Sequence, residues 1–562
     1  MTTSLTLLPP ALVLILGALF LPLLRGGIRS AALLLLPLVT LWLVWSLPDG
    51  ATLRMSFLGY ELLPLKVDKL SRLFALVFAI MAFAGALFAL RQPRTVELVA
   101  AFAYAGSAIG AVMAGDLISL FVFWEIMAIG STLVILSAGG GARRAAFRYA
   151  IMHFIGGVLL MAGIAGEIQA TGSVAFSAMD ASTPARGLML AGFLINAGAP
   201  PLSAWLSDAY PESSWSGMVF LSAFTTKTAV YTLIRGFPGT EILIPVGLFM
   251  VFYGIIYAIL ENDMRRILAY SIVNQVGFMV TGVGIGTEMA LNGAAAHAFT
   301  HIIYKALLLM SAGSVLLMTG KRKCTDLGGL FRTMPLTCVS GIIGALAISS
   351  FPLTSGFVSK SMIAQGAADQ HLMLVWLALA AASAGVFLHA GIKFPWFVFF
   401  QKDSGLRPVE PPVNMRAAMV LLAAFCIGIG VAPGPLYALL PYAVDYVPYT
   451  AAHVVFQLQL LLFSGLAFFL LLDLLKRTLT ITLDSDWLWR RPGAKLLRAF
   501  DQVSVSGWDA LVRASMGGAG WLARTLRSTH GPEGLLGGPW PTGTMALWAT
   551  VMLGAYLILS YV

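Results

Sequence analysis

Apolar residues in this chain gather into long runs instead of narrow stripes. Between short polar breaks lie stretches of roughly 20 residues with almost no charge, the length an α-helix needs to cross a bilayer. About sixteen such runs can be counted. Their centres fall near Leu14, Leu38, Ala79, Ala105, Ala128, Val158, Gly192, Thr225, Val251, Val276, Tyr304, Ser349, Ala382, Leu422, Gly465 and Gly554. Turn clusters such as Leu47-Pro48-Asp49-Gly50 and Gly139-Gly140-Gly141 separate them. The first run has no charged residue before it, so it reads as a span and not as a cleavable signal. The pattern predicts an all-α polytopic membrane protein of about 14–16 transmembrane helices.

One stretch departs from this pattern. Residues 476–541 are polar, basic and rich in Gly and Trp. Within 495–512, Leu497, Phe500, Trp508 and Leu511 share one helical face, with Asp501 at its edge. An amphipathic helix along the membrane surface or against partner subunits fits this spacing; so does a solvated connector. The expected organisation is N-terminal spans (1–95), a core (96–400), C-terminal spans (401–475), the connector (476–541) and a last span (542–562).

Composition sharpens the class. Of 562 residues, 59% are hydrophobic and only 11% charged, against about 25% charged in a soluble domain. A soluble enzyme, a disordered chain and a coiled coil are excluded. Cys324, Cys338 and Cys426 are scattered without CxxC spacing, so no iron–sulfur cluster, zinc finger or disulfide framework is expected. No dinucleotide fingerprint is present either, and no cofactor is expected. The net charge of +10 belongs to loops beside anionic lipid more readily than to a nucleic-acid surface. The short basic clusters are Arg25 and Arg29, Arg91 and Arg94, Arg143, Arg144 and Arg148, Arg265 and Arg266, and Lys321 to Lys323. All follow odd-numbered runs; only the stretch 54–72 breaks the alternation. The positive-inside rule then puts the N-terminus outside a bacterial inner membrane.

The strongest signal is charge where none should be. An ionised side chain at mid-span costs about 2.5–3.5 kcal/mol even on the lenient insertion scale, and such residues normally mark an ion path. Glu125 lies amid Phe121, Phe123, Trp124 and Ile126, as a proton carrier or as an anchor for a neighbouring helix. Lys227 sits near mid-span in the run 220–234, too deep for easy snorkelling. His297, His301 and Lys305 are spaced i, i+4, i+8 and so share one helical stripe, which resembles a proton wire. No metal site is expected there, because no further ligand is close in sequence. His389 and Lys393 form another i, i+4 pair, with snorkelling a competitor at Lys393.

Two spans carry helix breakers at their centres. One reads Ile195-Asn196-Ala-Gly198-Ala-Pro200-Pro201-Leu-Ser203-Ala-Trp205, the other Ser349-Ser-Phe-Pro352-Leu-Thr-Ser-Gly356-Phe-Val-Ser-Lys360. Unwound backbone inside a bilayer survives only where protein or water satisfies it. A pair of interrupted helices in two halves points to an inverted repeat with the ion path at the breaks; packing kinks are the alternative.

Several motifs occur together and in order: Phe121-Val-Phe-Trp-Glu125, Trp205-Leu-Ser-Asp208, Lys227-Thr-Ala-Val-Tyr231, Asp263-Met-Arg-Arg266, His297 through Lys305, Asp326-Leu-Gly-Gly-Leu330, Met334-Pro335 and Gly356-Phe-Val-Ser-Lys360. With them the chain resembles the antiporter-like proton-translocating subunits of complex I, membrane-bound hydrogenases and Mrp-type cation/proton antiporters, most of all the D-type subunit of Mrp antiporters. The resemblance implies two inverted five-helix repeats, each with a broken helix. It also implies a proton path along Glu125, Lys227, His297, His301, Lys305 and Lys360, with Asn196, His389, Lys393 and Asp263 as possible additions. The partners it implies are other membrane subunits, protons, and Na⁺ or K⁺. One departure stands out: the family places a Lys where this chain has Asn196, and a His where it has Ser203. Lys227 as partner of Glu125, a first half that conducts differently, or a first half that does not pump at all are the alternative consequences. Alternative roles are a pumping subunit of a complex I-like or hydrogenase complex, or the membrane partner of a bicarbonate uptake system.

Overall fold

The computed structural model describes residues 8–476, 483–534 and 536–561. Thirteen of its helices are long and apolar enough to cross a membrane, and two shorter apolar helices, Pro10–Leu23 and Pro335–Ile348, accompany them. Every centre anticipated from the hydrophobic runs falls in a helix except Ser349, which sits at a break. The chain is a multi-pass membrane protein.

The helices run α1 (Pro10–Phe20), α2 (Gly26–Ser46), α3 (Lys69–Phe88), α4 (Thr95–Met113), α5 (Leu117–Leu136), α6 (Ala142–Thr171) and α7 (Pro184–Ala197). After them come the short α8 (Trp205–Ala209) and α9 (Gly217–Leu221), then α10 (Thr225–Gly236), α11 (Leu243–Leu260), α12 (Met264–Ile285) and α13 (Glu288–Thr319). Next are α14 (Pro335–Ile348), α15 (Ser355–Asp369), α16 (Met373–Val386) and α17 (Val413–Val431). Caps match their sequences. Asp68 and Ser71 form a capping box at the start of α3, Asp116 accepts from Ser119 N at α5, and Gly172, Gly286 and Gly320 end α6, α12 and α13 in left-handed conformations.

Burial places the core. An 18-residue stretch of each of the segments Gly217–Gly236 and Met264–Ile285 is buried throughout, whereas α6, for example, turns Phe147, Phe154, Val158 and Met161 outward. Apolar side chains facing out cost nothing against lipid tails, so the polar groups of the central helices are the ones that need explaining.

The runs did not anticipate one feature. The stretch 52–66 forms an antiparallel hairpin, Thr52–Phe57 against Tyr60–Lys66. Its two-residue turn has positive φ at Leu58 and Gly59, as a hairpin turn of this length requires. Leu62 and Leu65 face the helices, and Asp116 accepts from Leu63 N at 2.7 Å.

Residues up to Asp486 form one compact unit and Trp487–Val562 a second. The second unit contains the helices Ala494–His530 and Thr542–Tyr561. The anticipated amphipathic segment is thus part of one helix of 37 residues, with Leu497, Phe500, Trp508 and Leu511 exposed on it.

Candidate functional site

Both anticipated interruptions are real. At the second, α14 ends at Ile348 and α15 starts at Ser355, with left-handed backbone at Ser350 and Leu353. Pro352 has no N–H to offer the carbonyl four residues before it, which leaves Ile348 O free. Lys360, 4% exposed, reaches back and donates to that oxygen at 3.1 Å. Its ammonium also lies 4.8 Å from the Phe278 ring centre. A cavity of 380 Å³, lined by Lys360, Ser350, Gln365, Tyr446, His453 and Gln457 among others, leads to it.

A third interruption, which the sequence did not reveal, lies at residues 222–224, between α9 and α10. The Tyr104 hydroxyl fills the gap: it accepts from Thr225 N at 2.9 Å and lies 2.6 Å from Thr225 Oγ1. The Ser222 carbonyl released here receives Lys227 Nζ at 2.7 Å, with Thr226 Oγ1 at 3.1 Å. Lys227 and Lys360 therefore occupy equivalent chemical positions, each a buried ammonium on a carbonyl freed by a break.

Between them runs the α13 stripe. His297 is held from both sides, with Nδ1 3.1 Å from Ser359 Oγ and Nε2 3.1 Å from Gln275 Oε1. Ser359 is the chain neighbour of Lys360. Lys305 donates to Ser271 Oγ at 2.8 Å. His301 lies between them with both ring nitrogens buried and without a hydrogen-bond partner, within electrostatic reach of Lys227, Lys305, His297 and Lys360. Five titratable groups are thus gathered into one buried row. Ser203, Thr228, Ser350 and Ser355 also carry buried hydroxyls without a partner. Native interiors rarely leave such groups unpaired, and polar sites of this kind are where ordered water belongs.

Glu125 stands apart from the row. Among the described residues no ion pair reaches it, and its Oε1 is buried without a hydrogen bond. The carboxylate rests against Gly157 of α6. Lys227, spent on Ser222 and Thr226, makes no ion pair with it. Asn196, at the end of α7, is fully buried, lacks a close hydrogen bond at either amide atom and faces His153 as a loose partner. The first break follows it. Gly198 takes φ +81° as the C-cap, and the Trp205 indole N–H donates to Ile195 O at 2.9 Å.

The outlying candidates have different settings. His389 lies in a π-helical stretch, Phe387–Lys393, with Nδ1 2.9 Å from Gly385 O and Nε2 unpartnered. Lys393 donates to Ala258 O, Ile259 O and Glu261 O, so its charge stabilises the C-terminus of α11. Asp263 caps α12 through Arg265 N and pairs with Arg322 at 2.7 Å. Burial pushes the Asp263 carboxyl up, with Arg322 opposing.

Sequence reasoning passed over several buried titratable groups, Glu97, Asp116 and Glu167 among them, and His153 on α6. His153 is 2% exposed, tilted against Tyr149 (ring centres 4.1 Å apart) and edge-on to Trp205 (4.9 Å). A single His in an apolar run gives little signal; its relation to Gly157, one turn on, is visible only once Glu125 is seen to pack there.

Interrupted helices carrying buried charge across a bilayer define an ion-translocating class of membrane protein. Residues 114–386 match the model of the NADH:quinone oxidoreductase/Mrp antiporter transmembrane family. Over 363 residues the chain is 30% identical to the D-type subunit of the Na(+)/H(+) antiporter of Alkalihalophilus pseudofirmus, a match covering 58% of this chain and 71% of that one. It is 28% identical over 449 residues to the N-type subunit of the NADH-quinone oxidoreductase of Desulforudis audaxviator, covering 73% and 90%. A chain of the Mrp complex from Dietzia sp. DQ12-45-1b shares the fold, with a TM-score of 0.76 at 23% identity; the match covers 92% of this chain and 63% of that one. The chain belongs to the NADH:quinone oxidoreductase/Mrp antiporter transmembrane family.

Proposed function

We propose that this chain is the ion-translocating subunit of a multisubunit cation/proton antiporter, moving protons along Glu125, Lys227, His297, His301, Lys305 and Lys360. The observation that carries the reading is the buried row from Lys227 to Lys360, set on freed carbonyls and ending at a cavity. In a low-dielectric interior neighbouring charges interact strongly, so protonating one member lowers its neighbour's hold on a proton. A charge change at one end then propagates to the other. The unpartnered nitrogens of His301 suit it to accept and release a proton between Lys227 and Lys305. Basic loops following odd-numbered spans support an N-terminus on the outer face of a bacterial inner membrane. The resemblance to subunits of larger assemblies supports further membrane subunits as partners, with Na⁺ or K⁺ as the counter-ion.

The test is transport by the native complex in vesicles. Lys360→Ala and Glu125→Ala should each abolish proton uptake driven by an imposed Na⁺ or K⁺ gradient; unchanged uptake in both removes the reading. A second reading, a pumping subunit of a redox complex, draws on the long match to the quinone oxidoreductase chain. Flavin, iron or nickel in the purified assembly would favour it.

A further inference from the structure

We propose that His153 is a proton-carrying residue of the first half of the path, linking the basic-loop end of α6 to Glu125. The inference rests on the translocation reading above and extends it to a residue outside the row. Its basis is placement. His153 and Gly157 are i and i+4 on α6, one turn or about 6 Å apart along the axis, and the Glu125 carboxylate lies against Gly157. One turn the other way, the Tyr149 hydroxyl donates to Ser131 Oγ at 2.9 Å. Beyond it Arg148 pairs with Asp208 through two bonds of 2.7 and 2.8 Å. The stripe Tyr149, His153 and Gly157 thus leads from beside this ion pair to Glu125.

The chemistry of the site agrees. Both nitrogens of His153 are buried and lack a close hydrogen bond, and the Asn196 amide faces the ring as a loose hydrogen-bond partner. A purely structural histidine is normally pinned by at least one close bond; this ring is held by aromatic packing and the loose Asn196 contact. The titratable side chain in contact with it is Tyr149, with Tyr210 packed behind that ring; phenols ordinarily lose their protons only near pH 10. A neutral imidazole carries one donor and one acceptor nitrogen, so it can take a proton on one side and give one on the other. In the transfer step the ring nitrogen that carries no hydrogen takes a proton from hydronium arriving on the Tyr149 side, which leaves as water. The opposite N–H gives its own proton to the Glu125 carboxylate through the Asn196 side, leaving a neutral ring and a neutral carboxyl. Rotation of the ring restores the starting tautomer.

The experiment uses the intact complex in liposomes and measures proton uptake driven by a cation gradient. His153→Gln keeps the polarity and removes the exchangeable charge; it should lower uptake at least about tenfold, and His153→Asn should do the same if His153→Gln fails to assemble. Adding Asn196→Lys to His153→Gln puts a titratable amine against the same site and should bring uptake back to within about threefold of wild type. Wild-type uptake in the His153 variants while Lys360→Ala is inactive overturns this inference alone, and so does a double variant without recovery. Lys360→Ala and Glu125→Ala that both transport normally overturn the parent reading instead.

Discussion

Gly157→Ala separates the path from the fold at a single atom. A methyl at position 157 would collide with Glu125 Oε1 and stand 3.1 Å from its Cδ and 3.4 Å from Oε2. Ordinary contact needs about 3.5 Å, so the carboxylate must swing away by about 1 Å. The obstacle is the end of a flexible side chain, and the backbone can stay in place. The rotamer cost is about 0.5–1.5 kcal/mol, and alanine regains about 0.5–1 kcal/mol over glycine inside a helix. Stability should therefore change by less than about 1 kcal/mol. Transport should not survive so lightly, since misplacing a reacting group by about 1 Å costs up to about 100-fold. Gly156→Ala is the matched control: its methyl meets Ile195 Cγ2 at 3.4 Å and Asn196 Oδ1 at 3.5 Å, which is ordinary contact. The assay pairs gradient-driven proton uptake in liposomes with thermal unfolding of the same complexes. Gly157→Ala should keep its Tm and lose uptake, and Gly156→Ala should keep both. Full uptake in Gly157→Ala, or equal loss in the two variants, refutes the argument that the Glu125 position sets the rate.

Two further outcomes follow from contacts away from Glu125. Tyr104→Phe leaves Thr225 N, at the start of α10, without its acceptor, and a buried donor left unpaired costs about 1–3 kcal/mol; a lower Tm is expected, and an unchanged Tm would show that another group fills the break. Asp68 outside the spans bonds Arg235 at 2.6 Å. Burial acts to raise its carboxyl, but the guanidinium outweighs this and holds the pKa below the usual range. A folded-state pKa below the unfolded one adds stability above the unfolded value, lost as pH falls through the folded one. The Tm difference between wild type and Asp68→Asn should be constant above about pH 5 and shrink below about pH 4; a difference independent of pH down to about 3 would contradict the pairing.

The hydrophobic runs alone determined the class of molecule, the placing of its spans and the positions of the two anticipated breaks. They could do so because transfer from water to lipid is a sum over neighbouring residues, and because Pro and Gly clustered within a few positions, as at 198–201 and 352–356, disfavour an unbroken helix. The charges at Glu125, Lys227, His301, Lys305 and Lys360 were legible for the same reason: a titratable group in an apolar run is conspicuous without any knowledge of its surroundings. What each one touches was decided elsewhere. The break beneath Lys227 contains neither Pro nor Gly and exists because Tyr104, more than a hundred residues away, occupies it. Lys393 is engaged by the end of α11, and Glu125 is held against a glycine of α6 instead of an ammonium. His153 acquires its neighbours only when α6 packs against α7 and Trp205. Contacts between helices far apart in the chain have no period and leave no local mark in composition, so only the packed structure could assign the partners.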